Sequence, residues 1–128
     1  MNRIEALSNV ERHEKAQFYK DLIKQIDLST YKKTPEICEV LNVTGREWRA
    51  CVEDIMNLYR YGLFNKLVIG TPKGYIYTDD PNLILSMCKA KEKQFKSMAY
   101  NCYRLRKEVL PLNNYSFKDF LSSVSVGD

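Results

Sequence analysis

The chain has 128 residues with a formal net charge of +4, and 45% of its residues are hydrophobic. This length and composition are those of one ordinary globular domain. No apolar run approaches the length of a membrane span, and residues 1–8 lack the apolar stretch that is typical of a signal peptide. We therefore expect a cytoplasmic protein that does not bind membranes.

The positive charge is concentrated towards the C-terminus. Residues 1–30 carry five basic and five acidic side chains, residues 31–80 carry seven of each, and residues 81–128 carry eight basic and four acidic. Because residues 31–80 are neutral in sum, any DNA affinity there requires that the charges be sorted onto one face.

The first predicted element is a helix between residues 10 and 27. Its apolar residues recur at helical spacing and predict a face that packs on the core. These residues are Phe18, Tyr19, Leu22, Ile23 and Ile26. Ile4 and Leu7 would add an extra turn before this helix.

The next two predicted helices form a helix-turn-helix. A helix from Thr34 to about Asn42 is too short to be stable alone in water, so it must pack against a neighbour. That neighbour is the longer helix that follows at once. Thr44 can cap it by accepting a hydrogen bond from an amide near Glu47, and Gly62 stands where a left-handed cap would end it. Two helices joined by a short turn match the helix-turn-helix motif of DNA-binding proteins.

The longer helix has an apolar stripe and an opposite polar face. The spacing places in the core Trp48, Val52, Ile55 and Tyr59, with Cys51 and Leu58 beside them. At 100° per residue the polar face consists of Arg46, Arg49, Ala50, Glu53, Asn57 and Arg60.

A β-hairpin follows this helix. Two β-rich segments, K-L-V-I and Y-I-Y-T, flank the turn sequence G-T-P-K-G, and Lys73 would be exposed at the tip. Asp80 then caps a last helix that begins at Pro81 and runs to Pro111.

The last helix carries a heptad-like apolar stripe that is interrupted only by Lys91. The stripe residues are Ile84, Cys88, Phe95, Met98, Cys102, Leu105 and Val109. A helix of about 45 Å is longer than a small domain can cover, so we favour a homodimer over an arm folded back on the first helix.

The predicted organisation is thus a domain at 1–80, a dimerisation or partner arm at 81–111 and a tail at 112–128. The tail is either a short docking helix or a frayed end. Its apolar residues at helical spacing are Phe117, Phe120, Leu121 and Val124.

Catalytic and metal-binding patterns are missing from the sequence. The four cysteines have no Cys-x-x-Cys spacing and fall at apolar helical positions, which favours reduced thiols over disulfides or zinc. There is no glycine-rich phosphate loop, and the one histidine, His13, lies in a charged helical stretch without catalytic partners. We therefore expect no metal, no cofactor and no enzymatic activity.

Residues 12–80 resemble the winged helix-turn-helix domain of biotin-repressor-type regulators and of many small phage proteins. The resemblance rests on the segment from Leu41 to Gly62 and on the wing sequence P-K-G-Y-I-Y-T, in which Lys73, Gly74 and Tyr75 match the family's turn. It implies a mainly α fold with a small β-hairpin, here followed by a long C-terminal helix, and it implies no enzymatic activity. Glu47 and Glu53 depart from the pattern because they place acid near the DNA-facing side.

Two functions follow from these observations. The first is a transcriptional regulator from a phage or mobile element that binds double-stranded DNA, with Arg46 and Arg49 at base edges. Phosphates would be held by Thr44, Arg60, Lys66 and Lys73. The second is a protein-interaction module that uses the same scaffold as an adaptor or inhibitor of a host complex. The sorted arginines favour the first, and the neutral charge of residues 31–80 favours the second.

Overall fold

The computed structural model describes residues 2–109 and 116–123, and helices predominate there over a two-stranded antiparallel hairpin. The elements in chain order are α1 (Asn9–Ile26), α2 (Thr34–Leu41), α3 (Gly45–Arg60), β1 (Leu67–Thr71), β2 (Gly74–Thr78), α4 (Pro81–Val109) and α5 (Phe117–Ser123). The predicted class, mainly α with a small hairpin, is confirmed. The chain divides into two compact units, Met1–Met87 and Cys88–Asp128. No helix in the described ranges is both long enough and apolar enough to cross a membrane.

Helix α1 begins with a reciprocal cap. The Ser8 hydroxyl accepts a hydrogen bond from the Glu11 amide, and the Glu11 carboxylate accepts one from the Ser8 amide. The buried face of α1 consists of Ala16, Tyr19, Ile23 and Ile26. The prediction that Phe18 packs in the core is wrong, because its side chain is 57% exposed. A residue next to Tyr19 points about 100° away from it, so both cannot lie at the centre of one buried face.

The predicted caps of α3 are confirmed. The Thr44 hydroxyl accepts from the Glu47 amide at 3.1 Å, and the Glu47 carboxylate accepts from the Thr44 amide at 3.0 Å. At the other end Gly62 has φ +76°, the Gly62 amide donates to the carbonyl of Tyr59, and the Leu63 amide donates to the carbonyl of Leu58. This pair of bonds is the Schellman arrangement that ends a helix at a glycine.

The predicted faces of α3 are only partly correct. Trp48 and Ile55 are buried as expected, but Tyr59 is 39% exposed and Leu58 is fully buried in its place. Asn57, which the wheel placed on the polar face, is 6% exposed. The reason is that α3 packs against three elements, α1, α2 and β1, so its C-terminal half is covered on more than one side.

The hairpin pairs with the segment that precedes α2. Within the hairpin, Gly70 lies opposite Tyr75 and Thr71 lies opposite Gly74. Lys32 forms an isolated antiparallel bridge to Tyr75, with hydrogen bonds in both directions, and the Tyr77 amide donates to the carbonyl of Leu28 at 2.9 Å. The order of the first unit is therefore helix, bridging segment, two helices and hairpin.

The N-terminal segment is fixed to the first unit by a buried acid. Asp54 is 5% exposed on α3, and its Oδ2 accepts from Arg3 and from the Tyr19 hydroxyl. Arg12 also donates to the backbone carbonyls of Ile4 and Glu5. Ile4, which is 1% exposed, is thereby part of the core.

The second unit contains most of α4 together with α5. Phe117 of α5 lies with its ring centroid 5.4 Å from that of Tyr100 and 5.6 Å from that of Tyr103. Of the two alternatives for the tail, residues 117–123 thus form a short helix that docks on α4. The expected end of the last helix at Pro111, the Phe120 side chain and Val124 lie outside the described residues.

Candidate nucleic-acid interface

The start of α3 presents two arginines, Arg46 in its first turn and Arg49 at the beginning of its second. Arg46 and Arg49 are both exposed. A Cβ built on Gly45 would lie 3.5 Å from Nη1 of Arg49 and 3.8 Å from Cγ2 of Thr34, so the guanidinium of Arg49 lies over the start of α3 beside the start of α2. The Thr44 hydroxyl accepts the capping bond, and its own proton stays available for a phosphate oxygen.

The hairpin tip lies beside the segment that leads into α2. Lys73 is exposed at the tip, as predicted, and its Nζ lies 5.8 Å from the centroid of the Tyr31 ring. Gly74 packs directly on the backbone of Lys32, because a Cβ there would come within 2.6 Å of the Lys32 carbonyl oxygen. Tyr75 turns inwards, where its ring meets that of Trp48 edge-on with centroids 5.4 Å apart.

These contacts join the hairpin tip to the start of α3 through residues 31–34. We call the cationic side chains along this path the basic face; its members are Lys32, Lys33, Arg46, Arg49 and Lys73. Lys32 is half-buried and the other four are exposed. Tyr31, Lys32 and Lys33 were not among the predicted site residues. The signal in the sequence was a pair of lysines just before the helix that begins at Thr34, but their proximity to Lys73 depends on the pairing between Lys32 and Tyr75.

Two predicted phosphate contacts lie elsewhere. Arg60 is exposed at the last residue of α3, about 21 Å along the helix from Arg46 at 1.5 Å per residue. Lys66 is exposed at the base of the hairpin, about 17 Å from the tip at 3.4 Å per residue. The structure therefore places Thr44, Arg46 and Arg49 at the start of α3, connects them to Lys73 only through residues 31–34, and places Arg60 and Lys66 at the far ends of their elements.

Among the acids of residues 31–80, Asp54 alone is buried. Asp54 is buried and ion-paired with Arg3, so its charge does not reach the surface. Glu47 is exposed, with its carboxylate held by the amide of Thr44. Glu53 is exposed on α3. Exposed acids also lie near these cations, since Glu36 is in the first turn of α2 and Glu47 is in the first turn of α3.

The residues predicted to dimerise differ in exposure. Within the second unit, Phe95, Met98 and Leu105 are 65%, 68% and 60% exposed, and Cys102 is exposed as well. Cys88 is half-buried, as is Ile84 in the first unit. The Val109 side chain lies outside the described residues. A large part of the stripe is thus uncovered in a single chain.

Among residues 2–109 and 116–123, no three His, Cys, Asp or Glu side chains lie close enough together to hold a metal ion. The chain was also compared with known proteins. No protein-family model, no curated protein and no solved structure matches it.

Proposed function

We propose that the first unit is a winged helix-turn-helix domain that binds double-stranded DNA as a transcriptional regulator. In this proposal α3 enters the major groove, and the hairpin acts as a wing along the flanking backbone. The observation that carries it is the basic face, in which the two arginines at the start of α3 and Lys73 of the hairpin tip are linked through residues 31–34.

The two kinds of cation in this face fit different tasks. An arginine at the start of a helix can place its planar guanidinium against the O6 and N7 acceptors of guanine, and Arg46 and Arg49 occupy such positions. Lysines act as point charges that suit phosphate oxygens. Lys33 and Lys73 would therefore fix the position of the duplex, and the arginines would read its sequence.

The experiment is a selection of binding sequences from a randomised duplex pool, repeated with the Arg46→Ala, Arg49→Ala double variant. Each lost bidentate contact to a base costs about 1 to 3 kcal/mol, so the variant should lose discrimination between selected and scrambled duplexes. Arg60→Ala is the matched control because it removes an exposed arginine from the far end of the same helix. Equal discrimination by the double variant and the parent would reject the proposal.

A second candidate function is a protein-interaction module, and the exposed stripe of α4 favours it. Phe95, Met98 and Leu105 are large apolar side chains that stay in water in a single chain. Burying such side chains is favourable by about 25 cal/mol per Å² of apolar surface, which gives a partner helix a reason to bind. In the regulator proposal that partner is a second copy, and the homodimer carries two domains to two half-sites. In the adaptor proposal it is a different protein.

A further inference from the structure

A groove on the first unit lies between the C-terminal half of α1, the turn that follows it and the base of the hairpin. We call it the α1–hairpin groove. It has a volume of about 570 Å³, and its walls include Lys20, Ile23, Lys24, Leu28, Lys66 and Tyr77. A second depression of about 420 Å³ adjoins it and shares Lys20, Lys66 and Tyr77. Both volumes fall in the range of small-molecule sites.

Two lysines of the groove place their ammonium groups over a pair of aromatic rings that pack on each other. The Lys20 Nζ lies 5.4 Å from the centroid of the Phe64 ring, and the Lys66 Nζ lies 5.9 Å from that of Tyr77. The two rings meet edge-on with centroids 6.5 Å apart. Phe64 is buried, and the Tyr77 amide is bonded to the Leu28 carbonyl, so the pair is anchored in the fold. Both cations therefore stand at the shared edge of the two depressions.

The cations of this groove have no carboxylate partners. Within residues 2–109 and 116–123, Lys20, Lys24 and Lys66 make no ion pair with an Asp or Glu. The acid on the groove wall is Asp27, whose carboxylate accepts from the Ser29 hydroxyl at 2.6 Å. That bond lowers the pKa of Asp27, so the residue is ionised at pH 7. Three lysines and one aspartate leave an excess of two positive charges.

We infer that the α1–hairpin groove binds a phosphomonoester of the nucleotide type. A phosphate group with close to two negative charges at neutral pH matches the excess of two positive charges. The apolar wall formed by Ile23, Leu28 and Tyr77 matches the remainder of such a molecule better than it matches a bare inorganic ion. The ligand is either a free nucleotide or the 5′-phosphorylated end of a nucleic-acid strand, since both present the same group.

This site is independent of the proposed DNA interface. Lys66 and Lys73 lie at opposite ends of the hairpin, so the groove and the basic face do not share a lysine of that element. The arginines of the interface do not line the groove. A variant that loses DNA binding at the basic face should therefore keep ligand binding in the groove, and the reverse also holds.

The first test uses the full chain and titration calorimetry with adenosine 5′-monophosphate and with adenosine. We expect the monophosphate to bind and adenosine to bind at least about tenfold more weakly, because the charge-assisted bonds to phosphate are lost. The Lys20→Gln, Lys66→Gln double variant should weaken binding of the monophosphate by about tenfold or more. Equal binding of the two probes, or an unaffected double variant, would overturn the inference.

Two further variants serve as controls. Lys15→Gln removes a cation whose Nζ lies 5.8 Å from the centroid of the Tyr19 ring. Lys15 thus resembles Lys20 and Lys66 in lying over an aromatic ring, but it does not line the groove. It should leave binding unchanged. Asp27→Asn removes the negative charge from the wall and keeps a residue type that tolerates its φ of 51°. It should tighten binding, and weaker binding would count against the site as described.

The second test separates the two sources of the phosphate. Single-stranded octanucleotides with a 5′-phosphate or a 5′-hydroxyl compete with the monophosphate, in the Arg46→Ala, Arg49→Ala background that removes the proposed DNA contacts. Stronger competition by the phosphorylated strand than by free monophosphate would identify a strand end, and the reverse would identify a free nucleotide. Competition by the 5′-hydroxyl strand that is as strong as competition by the free monophosphate would reject recognition of a phosphomonoester.

Discussion

Gly74 packs so closely on Lys32 that a Cβ at this position would lie 2.6 Å from the carbonyl oxygen of Lys32 and 2.8 Å from its carbonyl carbon. The two residues are 42 positions apart, yet their contact fixes where the hairpin tip lies relative to the segment before α2. Gly74 also has φ +123°, which L side chains rarely adopt. The position of Lys73 therefore depends on a glycine.

We predict that Gly74→Ala lowers the free energy of unfolding by about 1 to 3 kcal/mol, from strain and from the clash with backbone. Denaturant unfolding measures this change. Gly62→Ala is the matched control, because Gly62 has φ +76° with no atom within 4 Å of the added Cβ. A loss for Gly74→Ala no larger than that of the control would show that the hairpin can move away from Lys32 at little cost.

For Lys73 we predict a loss of affinity that is the same for all duplexes. Lys73→Ala should remove about one phosphate contact and make the salt dependence of binding shallower by about 0.9 in the logarithmic slope. With duplexes that carry 5′-hydroxyl ends, which the α1–hairpin groove does not bind, Lys66→Ala at the other end of the hairpin should leave the slope unchanged. Titrations with selected and scrambled duplexes at several salt concentrations measure both effects, and a sequence-selective loss would assign Lys73 to base reading instead.

The sequence predicted best those features that depend on neighbours within a few residues. The cap at Thr44 and the end of α3 at Gly62 were predicted correctly because both are set by hydrogen bonds spanning a few residues. Asp80 is a third case, since its Oδ1 accepts from the Asn82 amide at 2.9 Å. Both ends of α3 and the start of α4 follow from these bonds.

Burial was harder to predict, because it depends on which elements surround a helix. A helical wheel assumes one buried face, which places Asn57 in water, whereas α3 contacts α1, α2 and β1. The contribution of Lys32 and Lys33 to the basic face was missed for a similar reason. It requires the pairing of Lys32 with Tyr75, which no periodic pattern reveals.

The buried Asp54 gives a prediction about stability. Asp54→Ala leaves the Tyr19 hydroxyl without its acceptor, and a buried polar group in that state costs about 1 to 3 kcal/mol. Arg3→Gln should cost less than about 1 kcal/mol, since the Arg3 side chain is 70% exposed. Denaturant unfolding of both variants tests the order. A larger cost for Arg3→Gln would mean that the ion pair dominates this cluster.

Tyr19 gives a prediction about alkaline pH. Burial, followed by its hydrogen bond to Asp54, raises the pKa of Tyr19 well above the ordinary value of 10.0. Above pH 10 the unfolded chain therefore loses the phenolic proton that the folded chain keeps, so the free energy of unfolding falls as pH rises. A difference of one bound proton between the folded and the unfolded state changes the free energy of unfolding by about 1.4 kcal/mol per pH unit. Tyr19→Phe should make the decrease in the free energy of unfolding between pH 10 and 11 shallower. An unchanged decrease would show that other titrating groups cause it.

The last prediction concerns the exposed stripe of α4. Phe95→Glu combined with Met98→Glu places two charges where an apolar partner would pack, and both side chains are more than 60% exposed in a single chain. The variant should therefore keep its helical circular dichroism. If the stripe forms a homodimer, light scattering should show a dimer for the parent and a monomer for the variant, and the variant should bind a two-half-site duplex far more weakly than the parent does.

A substitution on the other side of the same helix controls for added charge. Lys93→Glu with Lys89→Glu changes the net charge in the same direction at two exposed positions outside the stripe, so it should leave the dimer intact. A parent that scatters as a monomer at micromolar concentration would reject the homodimer. The stripe would then remain an uncovered apolar surface, whose burial requires another protein, and the adaptor function would become the better explanation of this helix.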